Sequence, residues 1–535
     1  RFDRDRRCDR GDYGAAVGQP IVRGLGGPRL KVLNNGMVIN DAAAGGPDHQ
    51  NGTDFLNLKQ IEIIKGPSSL LYAQGTIGGI LNIVDDTIAK QDLERTTYAV
   101  SGEYQSVNDG ISGELAYKGR VAGFNLSLAY AESDFGFYDV PSGALSLEDE
   151  HHDEDEHGVG QGFLDNSDFA NKTRKIGLSK VEDWGYIGFS YSGSDNVFGI
   201  PFHGEESLGE RIFSTTDSDN LTLEGALKFD HQVINNIEYF VRRSEYSLIE
   251  QHQEDGHGPT TFSSDATEGG LRVDFSNARF KQKAVFNFIN GESGQNGADA
   301  FMSIVESDEL SFGYFLGKDF TAMHFDLGLR YDRIRRDSDH HSFDDAVTSV
   351  SFAMGSEFTD HFSASAGLSS VARLPSAVEL FADGAHLARQ RFEEGNADLV
   401  SERSNNLDIT LKFNREKFFS TLSLFKNRLD DFIYLRDEDE QEEELYNQYV
   451  NEITQENPDW DESRINNYAR YLVHNEHIRM YEEGVRIINE HAPRSDGLLQ
   501  VGQGDMIVST YYDDVGDWGD ADTSVANIIF GGQEG

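Results

Sequence analysis

Two stretches of this chain crowd imidazole and carboxylate groups together at spacings suited to holding a divalent cation. Glu148 to His157 reads EDEHHDEDEH, with His151, His152 and His157 set among Asp149, Glu150, Asp153, Asp155 and Glu156. Gln251 to His257 reads QHQEDGH and offers His252, Glu254, Asp255 and His257. A third, smaller group is Asp48-His49, where adjacent side chains on an irregular loop can turn toward one ion and Pro47 stiffens the approach. Zinc takes about four such nitrogen and oxygen ligands at ~2.0–2.2 Å, so no one pair completes a site. Flexible His/Asp/Glu tracts capture divalent metals weakly and pay an ordering entropy on binding. The rival reading of each group is a solvated acidic loop with incidental histidines. His203 and the His340-His341 pair fall in apparent loops and read as surface histidines.

Other chemistries find less support. Asp and Glu total 93 against 46 Lys and Arg, a net charge of −47 over 535 residues. That sign repels nucleic-acid phosphates and favours cations or a highly soluble surface. The single cysteine, Cys8, excludes an intrachain disulfide framework and any CxxC site. Gly75, Gly78 and Gly79 do not match a phosphate loop, since no Lys-Ser/Thr follows and a strand comes next. No nucleophile, base and orienter set stands out, so an enzyme is not expected. No apolar run approaches the ~18 residues of a membrane helix, which a β-barrel, exposing alternate residues to lipid, does not need.

The elements that must position these groups fall into two regimes. Ile61 to Val84 reads IEIIKGPSSLLYAQGTIGGILNIV: a strand, a Gly66-Pro67 stop, a short helical turn headed by Ser68 and Ser69, a glycine bend, and a second strand. From about Lys90 the pattern becomes period two. Leu221, Leu223, Leu227 and Phe229 alternate with Thr222, Glu224, Lys228 and Asp230, and Met323, Phe325, Leu327, Leu329 and Tyr331 with His324, Asp326, Arg330 and Asp332. Charged residues on one face and large apolar ones on the other predict a wet lumen inside a lipid shell. Trp184, Tyr186, Tyr239, Phe240 and Tyr331, at strand ends, are expected in an interfacial aromatic girdle. The acidic block Asp437 to Glu444 interrupts this regime, Tyr446 to Glu490 has helical composition, and Asp505–Tyr512 and Ala526–Phe530 read as final strands.

The Ile61–Val84 motif closely resembles the plug domain of TonB-dependent outer-membrane receptors. Val22 to Met37, with its Asn35-Gly36 turn, resembles the plug's first paired strands, and the Pro47-Asp48-His49 element is similar to zinc receptors of that family. Gly162–Pro201, Arg373–Asn406 (RLPSAVELFADGAHLARQRFEEGNADLVSERSNN) and Leu424–Leu435 are similar to its barrel segments. The resemblance implies an all-β membrane protein: a large antiparallel transmembrane barrel of the 22-stranded type with an N-terminal α+β plug in its lumen. Expected boundaries are 1–95 for the plug, which the chain enters already under way at Arg1, 96–435 for strands and extracellular loops, and 436–535 for a divergent acidic region. It further implies Zn²⁺ as transported ligand, residence in the bacterial outer membrane among its lipids, and energy from the inner-membrane TonB complex. Asp48 and His49 would contribute to the metal site from the plug and His386 from the ADGAHLA loop, assisted by His151, His152, His157, His252, Glu254 and His257. Haem or siderophore uptake, or a non-transporting acidic metal-binding surface protein, are the alternatives.

Overall fold

The computed structural model describes residues 8–10, 16–42, 46, 49–141, 162–201, 211–231, 233–252, 258–297, 300–386, 391–415, 418–437, 449–451, 453–454, 465, 469, 508–514 and 521–532. Its N-terminal part is a four-stranded mixed sheet of β1 (Leu30–Asn34), β2 (Met37–Val38), β3 (Leu58–Ile64) and β4 (Gly79–Asp85), in the order β2-β1-β4-β3. The Asn35-Gly36 pair joins β1 to β2 with φ of 52° and 80°, the left-handed geometry of a two-residue hairpin turn. Gly66-Pro67 ends β3 and opens a 3₁₀ helix, Gly66–Leu71, whose Leu70 and Leu71 are buried. The chain then bends through Gly75–Gly79 and returns as β4, parallel to β1 and antiparallel to β3.

Sixteen strands form one continuous antiparallel sheet: β5 (Thr97–Gln105), β6 (Gly110–Val121), β7 (Phe124–Phe135), β8 (Phe169–Glu182), β9 (Gly185–Gly199), β10 (Ile212–Lys228), β11 (Asn236–His252), β12 (Thr260–Asp274), β13 (Lys281–Asn296), β14 (Val305–Asp319), β15 (Met323–Asp337), β16 (Ser342–Thr359), β17 (Phe362–Arg373), β18 (Glu402–Arg415), β19 (Phe418–Asp430) and β20 (Ala521–Gly532). Edge strands β5 and β20 run antiparallel to each other, as closure of a barrel requires. Twenty-two strands were expected at ~10 residues each; the sixteen found among the described residues mostly run 12 to 18 residues. Ala526–Phe530 does lie in a barrel strand, β20, but Val508–Asp514 pairs instead in a four-stranded sheet with Asp383–His386, Arg391–Glu394 and Ile433–Asp437.

The alternation sorts as expected on most strands. Leu221, Leu223, Leu329 and Tyr331 are exposed on the outer wall, while Glu224, Arg330 and Asp332 are buried inside. Tyr186 and Phe240 depart: both are buried on the inner face, Tyr186 against Ile88 and Ala226 and Phe240 beneath Arg272. Parity along β9 and β11 fixes this, since Ile187 and Val241 take the outward positions.

Inside the wall the small sheet is held at many points. Lys175 of β8, almost fully buried, reaches Asp54 at 2.7 Å, Asp85 at 2.9 Å and the Leu56 carbonyl at 3.0 Å. Arg242 of β11 donates to the Asn34 carbonyl at 3.0 Å, Arg272 of β12 to the Gly36 carbonyl at 3.1 Å, and Arg330 of β15 to the Leu70 carbonyl at 3.0 Å. The N-terminal part is therefore a plug within the lumen. Where plug backbone meets the wall directly, the wall carries glycine: a Cβ on Gly177 would lie 1.8 Å from the Thr87 carbonyl oxygen, and one on Gly328 2.5 Å from that of Pro67.

Two outcomes follow from this packing. Gly177→Ala is expected to cost about 1–3 kcal/mol through overpacking and to raise amide exchange in Thr87 and its neighbours; unchanged exchange would refute the close approach. Burial opposes ionisation of Asp85, but the Lys175 charge and the Thr87 amide outweigh it and hold the carboxyl well below its usual range. A lowered folded pKa gives stability that is complete above the unfolded value of about 3.9 and is lost as pH falls below it. Plug protection against exchange should thus stay level from pH 8 to about 5 and fall with further acidification.

Candidate functional site at the loop-rich mouth

The two ends of the wall differ. Connections at residues 121–124, 182–185, 319–323, 359–362 and 415–418 are tight, whereas those at 135–169, 199–212, 252–260, 296–305 and 373–402 open from the other end. The metal-ligand candidates that follow the plug belong to connections at that second end. His151, His152 and His157 belong to the β7–β8 connection and lie outside the described residues, as do Glu254, His257 and Asp48. His252 closes β11 at the start of the β11–β12 connection, and His386 ends the short strand Asp383–His386 between β17 and β18.

His49 is the candidate whose surroundings are visible. It is buried, edge-on to Phe262 near the start of β12, with ring centroids 4.7 Å apart. Its Nδ1 lies 3.1 Å from the Ala42 carbonyl oxygen, which can only accept, so Nδ1 donates. Gln19 pins the same loop, donating to the Gly46 carbonyl at 2.7 Å and to that of His49 at 3.0 Å. A plug imidazole is thus fixed in direction at the mouth, the second-shell arrangement that metal-binding histidines use. Among the described residues no three His, Cys, Asp or Glu side chains gather closely enough to hold an ion. Around His49 the mouth is apolar: Phe198, Leu248, Phe262, Phe301, Leu374, Phe381 and Leu399 belong to one buried cluster.

Beneath this cluster lies an ionic node that the sequence reading did not assign. Arg373, at the upper end of β17 and 1% exposed, grips Glu379 with two hydrogen bonds of 2.7 and 3.0 Å and Glu402 of β18 with one of 2.6 Å. Arg29 of the plug takes the other Glu402 oxygen at 2.8 Å, stacks 3.9 Å over Phe432, and donates to the Ile433 carbonyl. Burial pulls the Arg29 pKa down, and Glu402 opposes that. Glu379 sits in the short helix α1 (Ala377–Phe381), where Ser376 and Glu379 form a capping box. Burial would raise the Glu379 pKa, yet Arg373 and the Ser376 amide hold it below the ordinary glutamate range. The Ser-x-x-Glu spacing at 376–379 was a readable signal for this helix start. The node joins plug, wall and the connection that carries His386.

The family description "TonB dependent receptor-like, beta-barrel" matches residues 48–466, and "TonB-dependent Receptor Plug Domain" matches residues 8–80. Several solved structures share the fold at low identity. The copper transporter OprC is 15% identical with a TM-score of 0.66, covering 82% of this chain and 71% of its own. The FrpB iron transporter from Neisseria meningitidis is 15% identical with a TM-score of 0.65, covering 81% and 69%. The Serratia marcescens hemophore receptor HasR, solved with its hemophore HasA and heme, is 14% identical with a TM-score of 0.65, covering 82% and 71%.

Removing Arg373 leaves the buried Glu379 without its cation and Glu402 with Arg29 alone, a loss of about 3–5 kcal/mol. Arg373→Ala is therefore expected to lower the unfolding temperature and release the plug to protease, whereas the exposed Arg335→Ala leaves both unchanged. Equal behaviour of the two variants would show that the node does not secure the plug.

Proposed function

The chain belongs to the TonB-dependent receptor family of the bacterial outer membrane, and from that premise we propose that it captures a divalent metal ion, Zn²⁺, at its outer mouth for TonB-energised uptake. The family is one of receptors and transporters, and the reading concerns which cargo this member takes. Asp48 and His49 would supply ligands from the plug and His386 one from the β17–β18 connection. His151, His152 and His157, with the carboxylates around them, would concentrate cations above the mouth. His252, Glu254 and His257 would complete or guard the site from the β11–β12 connection.

The observation that carries this reading is His49: an imidazole on the plug, oriented by the Ala42 carbonyl, at the end of the barrel where every other candidate connection opens. A net charge of −47 also favours a cation over an anionic ferric siderophore. Because His49 and the plug ion pairs share one small domain, movement of the plug under TonB would separate His49 from ligands on the wall. A ligand set that loses its geometry releases its ion, so the pull shifts the population toward a state that no longer binds.

A second reading rests on the apolar mouth. Phe262, edge-on to His49, and Phe301, edge-on to Phe262, give the imidazole an apolar aromatic setting of the kind that suits an axial ligand to a flat metal macrocycle. The structures of similar fold include a copper transporter, an iron transporter and a hemophore receptor solved with heme.

Calorimetric titration of the purified protein with Zn²⁺, alongside haem titration by absorbance, separates the two. On the zinc reading, the Asp48→Ala/His49→Ala double variant loses at least about tenfold in Zn²⁺ affinity, the loss of a ligand contribution of about 1.4 kcal/mol or more. Unchanged Zn²⁺ affinity in that variant removes the plug pair from the site, and tight haem binding without zinc binding favours the macrocycle.

A further inference from the structure

Between the plug and strands β12 to β15 lies a cavity of about 240 Å³. The ladder register shows what hollows it. Ala266, Gly291 and Ser307 stand in one row across β12, β13 and β14, three small residues that all line the cavity. Arg336 of β15 ends the same row, directly opposite Ser307. Arg336 is 8% exposed and lines the cavity too. Its Nη2 is bonded to Glu309 at 3.3 Å, and its Nη1 is buried without a hydrogen-bond partner among the described residues. Lys31 of β1 lines the space from the plug side. Burial pulls the Lys31 pKa down; the Glu309 charge supports the ammonium, and those of Arg373 and Arg336 work against it.

The other charges around this cavity are answered elsewhere. Arg330 is held by Asp332 at 2.7 Å. Glu268 lies opposite Arg242 on the β11–β12 ladder and accepts from the Val38 amide at 3.0 Å, while Asp41 accepts from the Gly52 amide at 2.8 Å. Asp265 turns to the outer face, where Arg243 meets it at 3.2 Å, and Glu292 stands exposed opposite it on β13. Lys31 and Arg336 are left to share the one carboxylate of Glu309. A buried cation short of counter-charge is costly, and an N–H buried without an acceptor adds to that cost. A single negative charge relieves both.

We propose that this cavity binds a small monoanion of the halide class, held by Lys31 of the plug and Arg336 of the wall with the Ser307 hydroxyl beside them. Two cations against one carboxylate call for one negative charge and no more. The space beyond the ion suits water, because Gln74 Oε1 and Asn287 Oδ1 also lie on the lining, buried without partners, and as acceptors they turn an anion away. The ion joins plug to wall through a contact that breaks when the plug moves. It is independent of the cargo that the mouth takes.

The test uses the full chain in neutral detergent. In crystals soaked with bromide, anomalous diffraction should show a peak between Lys31 and Arg336. In solution, chloride replacing gluconate at fixed ionic strength should slow amide exchange in β1 and β4, by about tenfold once chloride stands at ten times its dissociation constant. Lys31→Met and Arg336→Met should each lose the peak and the chloride dependence, while Lys59→Met, exposed on β3, keeps both. If the wall variant does not fold, Lys31→Met alone decides the matter. Exchange in the parent that ignores chloride overturns the proposal, as does a chloride effect that survives in Lys31→Met. A bromide peak without the solution effect also overturns it, showing occupancy at crystal concentration only.

Discussion

A barrel wide enough to enclose a folded domain must bury polar groups on its inner face, and each of them needs a partner from the wall or from the domain it encloses. That constraint organises the whole molecule. Lys175 without Asp54 and Asp85 would be a lone buried charge, and so would Arg373 without Glu379 and Glu402. Burying a charge costs several kcal/mol unless it is paired and hydrogen-bonded. The pairs add little net stability over apolar packing, but they fix one seating of the plug, because any rotation or shift breaks several at once. Arg29, Arg23, Asp54 and Asp85 come from the plug; their partners Glu402 and Asp408 come from β18 and Lys175 from β8.

The same constraint ties the mouth to the interior. Glu402 is the first residue of β18, at the foot of the connection that contains His386, and it is held by a wall arginine on one oxygen and a plug arginine on the other. Motion of Arg29 therefore reaches the base of that connection through one carboxylate. His49 is linked to the same body through Gln19 and the plug loops. A cargo site made from plug and loop residues would thus be assembled only while the plug is seated. The apolar cluster above, from Phe198 to Leu399, excludes water from the region where such a site would form and strengthens its electrostatics.

Much of the architecture was legible in the residues because it depends on local rules. Asn35-Gly36 requires a left-handed turn, Gly66-Pro67 stops a strand, and strict alternation on β10 and β15 leaves one face for lipid and one for the lumen. The inward placement of Tyr186 and Phe240 was not legible from residue type, since an aromatic side chain suits a girdle and a packed interior equally; register decided it. The ionic node was invisible for a different reason. Arg29 is far in sequence from Arg373, Glu379 and Glu402, and period two says which way a strand residue points but not what stands across the lumen. The metal candidates are less determined still: they sit on loops or at strand ends beside them, where spacing along the chain does not set distance in space; among the described ones, His49 has neighbours that fix its direction.

The glycines of the inner wall carry a consequence for assembly. Thr87 and Pro67 press their carbonyl oxygens into niches that exist only because Gly177 and Gly328 lack a Cβ. A slip of one residue in β8 would bring Ile176 or Leu178 to the Thr87 niche, and a slip in β15 would bring Leu327 or Leu329 to that of Pro67. Either would collide with the enclosed domain while turning its own charges toward hydrocarbon. The plug is therefore a gauge as well as a stopper: a wall threaded in the wrong frame cannot accept it, so correct strand alignment is proofread from within.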